Sequence, residues 1–182
     1  MEPGDDELVA AARAGDGEAF DLLMRRYERL VYRVASGFAP GREGALDLVQ
    51  ATFLKAFRSL DRFRGEASFK TWLLRIAYHE GINESKRSAR HEARDVDLDA
   101  GAPEPAAPPD QEERMLAGER HGALARALGS LHHRYRTAVL LRYREGLSIR
   151  DIAAALDCSE TMTKNLLFRG VRQLRRAVVE AL

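Results

Sequence analysis

The chain has 182 residues, 31% of them charged, and a formal net charge of +1. Its length suits one domain or two small ones, and its single cysteine excludes an intramolecular disulfide and a cysteine-based zinc site. The N-terminus, MEPGDDELV, is acidic and lacks a basic–apolar signal pattern, and no apolar run approaches the roughly 20 residues needed to span a bilayer. The expectation is a soluble protein of a reducing compartment, in a bacterium the cytoplasm, with no membrane insertion.

The near-zero total hides an uneven distribution. Residues 1–60 carry a net charge of −2, residues 61–90 +3, residues 91–115 −6 and residues 116–182 +6. Two basic blocks separated by an acidic spacer suggest two contacts with one polyanion.

In chain order, residues 5–14 predict a short helix ending near Gly15. Asp16 caps a second, longer helix, with Phe20, Leu23, Met24, Tyr27, Leu30, Val31, Val34 and Phe38 as an i, i+3, i+4, i+7 core stripe. Gly37, Pro40 and Gly41 break it. A third helix runs from about Arg42 to Leu60, with Leu46, Val49, Phe53, Leu54 and Phe57 expected on its inner side. Asp61 to Ser68, DRFRGEAS, reads as a loop, and Ser68 opens a fourth helix. There Phe69, Trp72, Leu73, Ile76 and Ala77 face inward. Lys70, Thr71, Arg75, Tyr78, His79, Asn83, Lys86 and Arg87 face outward. Bases of a single strand stack on rings, Lys and Arg follow phosphates, and amides read base edges, so this outer face suits single-stranded nucleic acid. A solvated amphipathic helix is the plainer alternative. Trp72 is read as a core residue, with a role as a melting wedge second to it.

Residues 91–115, HEARDVDLDAGAPEPAAPPDQEERM, are acidic and rich in proline and alanine, a composition that cannot build a core and predicts a flexible connector. A helix follows from about Glu113 to Ala127 with Gly129 as its stop. Another runs from Leu131 to Arg144, with Tyr135, Val139, Leu140 and Tyr143 buried. Then comes GLSIRDIAAALDCSETMTKNLLFRGVRQLRR, Gly146 to Arg176. Ser148 caps a short helix and Asp151 completes a capping box. Asp157 and Cys158 make a tight turn, with Cys158 packed as a small apolar residue. Ser159 caps a second helix with Met162, Leu166, Leu167, Val171, Leu174 and Val178 as its apolar side. This is the helix-turn-helix pattern, whose second helix enters the major groove by its N-terminal part. The side chains expected to reach DNA are Ser159, Glu160, Thr161, Thr163, Lys164, Asn165, Phe168 and Arg169. Lys164 and Arg169 suit phosphate or guanine, and Asn165 suits adenine. No stretch alternates with period two. The fold class is all-α: two small helical domains, residues 1–90 and 116–182, joined by a flexible acidic linker over residues 91–115.

DLVQATFLKAF (Asp47–Phe57) followed by FRGEASFKTWLLRIA (Phe63–Ala77) resembles the second conserved region of bacterial sigma factors. With the C-terminal helix-turn-helix after a variable linker, the whole resembles the extracytoplasmic-function (ECF) group of the sigma-70 family. The resemblance implies a factor that binds core RNA polymerase, recognises the −35 and −10 promoter elements and promotes promoter melting. It matches Asp47, Gln50, Phe53, Leu54 and Arg58 to the surface that docks on the clamp helices of the largest subunit, and it brings the second domain to the flap. It matches Phe63, Arg64, Gly65 and Ser68 to a loop that receives a flipped −10 base. Lys70, Thr71, Arg75, Tyr78, His79, Asn83 and Lys86 match the face that holds the melted non-template strand. Lys164, Asn165, Phe168 and Arg169 match the −35 contacts. An anti-sigma factor is a further implied partner. The chain departs from the pattern at Leu46 and Ala51, where members often carry acids. It departs again at Tyr78-His79, often Arg-Asn, and at Leu73, a second tryptophan in housekeeping relatives.

Three other readings compete, and the basic outer faces of both domains argue against one of them, an inactive relative serving only as a protein-binding module. An enzyme would need a constellation that the chain lacks: no HExxH, nucleophile elbow or phosphate-binding glycine loop is present, and adjacent His132 and His133 diverge on a helix. No cofactor or metal is expected. A helix-turn-helix operator-binding regulator explains the C-terminal half but leaves residues 42–87 without a purpose.

Overall fold

The computed structural model describes residues 3–39, 41–92 and 118–180, which form eight α-helices and one 3-10 turn. The acidic spacer expected over 91–115 lies outside the described residues from 93 onward, as does the predicted helix start at Glu113.

The first four helices are α1 (Asp5–Arg13), α2 (Gly17–Ala35), α3 (Gly41–Ser59) and α4 (Phe69–Glu92), with the 3-10 turn at Leu60–Arg62 between the last two. Their starts follow local chemistry. The Asp16 carboxylate accepts from the amides of Glu18 and Ala19 at 2.9 and 3.2 Å, satisfying donors that have no partner within α2. The Ser68 hydroxyl accepts from the amide of Thr71 at 3.1 Å at the start of α4. Helix α2 is the hub, packing on α1, α3 and α4 through Phe20, Leu23, Leu30, Val31 and Val34, all buried. Helix α1 is held by burial of Leu8, Val9 and Ala12 and by the Tyr27 hydroxyl, which donates to Asp5.

The last four helices are α5 (Gly118–Ser130), α6 (His133–Tyr143), α7 (Ile149–Ala155) and α8 (Glu160–Glu180). Gly129 is not the stop of α5; the helix runs through it to Ser130. Helix α8 packs against α5, α6 and α7. At Gly170 the backbones come so close that an added Cβ would lie 2.8 Å from Cγ2 of Val139. On α6 the inner side is Thr137, Ala138, Val139 and Leu141, whereas Tyr143 is 69% exposed and Leu140 is only half-buried. Helix α8 meets α6 at Gly170, against Val139 and Tyr135 of the expected stripe, while Thr137, Ala138 and Leu141 extend the buried side of α6.

The two sets of helices share one continuous apolar cluster, in which Phe38, Leu74 and Tyr78 of the first join Ala138, Ile152, Ala155 and Leu156 of the second. Helix α7 lies along α4. Phe38 is wedged between the rings of Tyr78 (5.7 Å) and His133 (4.9 Å). Gly81 makes room for it: a Cβ there would meet the Phe38 ring at 2.5 Å.

Candidate nucleic-acid interface

Helices α7 and α8 form the helix-turn-helix. The Ser148 hydroxyl accepts from the amide of Asp151 at 3.1 Å and donates to the Asp151 carboxylate. The turn depends on Asp157, whose φ of 51° is left-handed, a conformation that Asp tolerates better than most residues. The Ser159 hydroxyl then accepts from the amide of Met162 at 3.1 Å. Glu160, Thr161, Lys164, Asn165, Phe168 and Arg169 emerge as one exposed face, with Ser159 exposed at its cap. Phe168 is 67% exposed and lies beneath the Arg172 guanidinium, 5.9 Å from its ring centre, so an aromatic plane and a cation stand side by side. Thr163 departs from the expected set. It is fully buried, donates to the Ser159 carbonyl at 3.2 Å and sits 3.4 Å from the Cys158 sulfur. Met162, expected inside, is 44% exposed. The inner row runs Thr163, Leu166, Leu167, Gly170, one step from the apolar count, because a hydroxyl that bonds back to its own helix needs no solvent.

The second candidate surface surrounds the loop between the 3-10 turn and α4. A recess of about 210 Å³ is lined by Arg62, Phe63, Arg64, Thr71, Trp72 and Arg75, smaller than the roughly 300–1,000 Å³ of ordinary small-molecule sites. Trp72 is half-buried, with its ring 5.2 Å from Phe63 and 5.7 Å from Phe69, so its core role and its place in the recess wall coincide. Gly65 has φ of 72°, which lets the loop turn back over the recess. Arg64, Gly65, Ser68, Arg75, Asn83 and Lys86 are exposed and Lys70 is half-buried. Phe63 forms the floor at 6% exposure.

Two residues expected on this outer face are buried: Thr71 and Tyr78, each at 2% exposure. Thr71 shares a hydrogen bond of 2.9 Å with the Ser68 hydroxyl. Tyr78 lies under α6, where Nε of Arg134 donates to its hydroxyl at 3.1 Å. Asp157 accepts from Arg75 at 2.8 Å and lies 3.7 Å from His79, Ala154 of α7 borders the recess, and Arg33 pairs with Glu145. Exposed pairs such as Arg75–Asp157 contribute about 0–1 kcal/mol. Burying one large ring contributes about 1.5–3 kcal/mol. The apolar wedge at Phe38 and Tyr78 therefore dominates this contact, and the ion pairs set its register. Arg134 is held further toward its charged form by the Tyr78 hydroxyl.

The third surface is on α3. Asp47, Gln50 and Arg58 are exposed, and Phe53 is buried at 5%. Leu54 is not inside: it is 47% exposed, with Leu46 at 43% and Phe57 at 53%. Leu46, Gln50, Leu54 and Phe57 recur at i, i+4, i+8 and i+11, one continuous outer row. The core row is instead Ala45, Leu48, Val49, Thr52, Phe53 and Ala56. Leu46 and Phe57, expected inside, are thus half-exposed, with the Phe57 ring edge-on to Phe20 at 5.0 Å.

Residues 23–91 match the family description "Sigma-70 region 2" and residues 121–174 match "Sigma-70, region 4". The ECF RNA polymerase sigma-E factor of Escherichia coli is 36% identical over 174 residues, covering 91% of this chain and 90% of that protein. The chain belongs to the ECF sigma factors. Among solved structures, CnrH in complex with the cytosolic domain of CnrY superposes with a TM-score of 0.67 at 26% identity, covering 97% of both chains. The sigma factor RpoE bound to the anti-sigma factor NepR from Bartonella quintana shares the fold, with a TM-score of 0.71 at 23% identity, covering 87% of this chain and 96% of that one. An ECF sigma factor acts in transcription initiation, where sigma factors bind core RNA polymerase and promoter DNA. No helix among the described residues is long and apolar enough to cross a membrane, and among them no group of His, Cys, Asp and Glu could hold a metal ion.

Proposed function

We propose that this sigma factor divides its work among the three surfaces above. The N-terminal unit, residues 1–90, docks on core RNA polymerase through the outer row of α3, with Asp47, Gln50, Leu54 and Arg58 meeting the clamp helices of the largest subunit and Phe53 supporting them from the core. The C-terminal unit, residues 116–182, reads −35 duplex through Lys164, Asn165, Phe168 and Arg169, near the polymerase flap. The recess at Phe63–Ser68 takes a flipped −10 base, and Lys70, Arg75, His79, Asn83 and Lys86 follow the melted strand. The chain performs binding and strand separation in the cytoplasm, and the polymerase supplies the chemistry.

The observation that carries this reading is the exposed basic face at the N-terminal end of α8 on a capped helix-turn-helix. Unstacking a base costs a few kcal/mol, and a preformed, ring-walled recess offsets part of it. Arg75, Tyr78 and His79 become available to a single strand once α6 and α7 move off α4. A protein partner of the anti-sigma class, of the kind bound to the sigma factor RpoE from Bartonella quintana, would hold the free chain by the same surfaces.

Run-off transcription from a genomic fragment library, with purified core polymerase with and without the chain, tests the proposal. New starts that share upstream −35 and −10 elements are expected. No new starts and no co-elution with core would overturn it.

A further inference from the structure

Arg13 ends α1, ten residues before the matched region 2 begins. Its Nε donates to the Leu60 carbonyl at 3.0 Å, and its Nη2 donates to the Phe63 carbonyl and, at 3.4 Å, to that of Asp61. The guanidinium carbon lies 5.8 Å from the Phe63 ring centre. One planar fork thus gathers the carbonyls of Leu60 and Asp61, in the 3-10 turn, and of Phe63, the first residue of the loop. The Leu60 carbonyl already accepts from the Phe63 amide at 3.0 Å, and its second lone pair remains open to a cationic donor. A guanidinium can serve several carbonyls at once in fixed directions; an ammonium cannot.

We propose that Arg13 is a positioning residue for the base-capture recess. It fixes the backbone at Phe63, and the Phe63 ring is the surface on which Trp72 rests. Arg13 itself does not line the recess, so it acts through Phe63. Docking of α1 does not depend on it, because Leu8, Val9, Ala12 and the Tyr27–Asp5 hydrogen bond hold that helix. The inference rests on the −10 reading proposed above.

Trp72 is the only tryptophan in the chain, so its fluorescence reports on the recess without any DNA. In full-length Arg13→Ala and Arg13→Lys, acrylamide quenching of Trp72 rises, with unchanged far-UV circular dichroism and unchanged co-elution with core polymerase. Holoenzyme is then titrated with the non-template strand of a promoter recovered by run-off, carrying 2-aminopurine at each −10 position in turn. Losing a preorganised wall lowers affinity for that strand about tenfold in Arg13→Ala, while affinity for −35 duplex stays the same. Arg13→Lys recovers only part of the loss. Unchanged quenching and unchanged strand affinity in Arg13→Ala would overturn the inference. Full recovery by Lys would overturn it too, by assigning the effect to charge alone. A parallel fall in thermal stability, core binding and strand binding would reduce Arg13 to a fold residue. A wild-type holoenzyme with no 2-aminopurine response would sink the base-capture reading, and Trp72 quenching would still decide whether Arg13 positions the loop.

Discussion

Acid should loosen the contact between the two sets of helices through His133. Burial, then the neighbouring charges of His132 and Arg134, lower its pKa from the ordinary 6.5 to about 4. Its ring packs on Phe38 of the first set. The sign follows from proton uptake. Between pH 6.5 and 4 the unfolded chain protonates this histidine and the folded chain does not, so the neutral ring's contribution is complete above pH 6.5 and is lost as pH falls toward 4. At about 1.4 kcal/mol per pH unit, the full window sets a ceiling of roughly 3.4 kcal/mol. The ring is only half-buried, and solvent screening reduces this to about 1–2 kcal/mol. Urea unfolding of wild type and His133→Gln at pH 7.5, 6.5, 5.5 and 4.5 isolates the contribution, because other titrating groups cancel in the difference. The wild type should lose about 1–2 kcal/mol more than the variant on going from pH 7.5 to 4.5. Parallel stability curves would refute the reasoning, and a variant more acid-sensitive than wild type would reverse its sign.

Three further outcomes are expected. Lys164→Ala with Arg169→Ala should weaken −35 binding and reduce the slope of log affinity against log salt by about 2 if both side chains meet phosphate, with co-elution on core unchanged; an unaltered slope in a salt titration would remove them from the phosphate contacts. Leu46→Glu with Leu54→Glu places charges on the outer row of α3, and core binding measured by size-exclusion or anisotropy should fall by tenfold or more, about 1.4 kcal/mol or greater. Because both sites are exposed, unfolding free energy should move by only about 0.5 kcal/mol each, and undiminished core binding would exclude this row as the docking surface. Asp157→Asn keeps a residue tolerant of left-handed φ but removes the charge facing Arg75 and His79. Affinity of the holoenzyme for single-stranded non-template DNA should rise about two- to fivefold, the equivalent of an exposed ion pair; no rise in a fluorescence titration would show that Asp157 does not compete with the strand.

What the sequence determined by itself is local. The caps at Asp16, Ser148 and Ser159 pair a side chain with amides two or three residues away, so the start of α2 and of the helix-turn-helix could be read from the chain alone. The row Lys164, Asn165, Phe168 and Arg169 followed from the same count. The family resemblance was legible because Asp47–Phe57 and Phe63–Ala77 lie on adjacent helices in a fixed order. Helix rotation was less legible. Helix α3 carries apolar residues on two arcs, and periodicity alone cannot tell which arc meets a neighbour; the packing of α2 and α4 selected Ala45, Leu48, Val49 and Phe53 and left Leu46, Leu54 and Phe57 outside. Thr163 took an inner place from Met162 because its hydroxyl found a carbonyl within its own helix. Only the tertiary structure buried Tyr78 beneath Arg134 and joined Arg13 to Phe63, contacts between residues 56 and 50 positions apart. Such contacts depend on how whole helices come together, and no short window of sequence holds both partners.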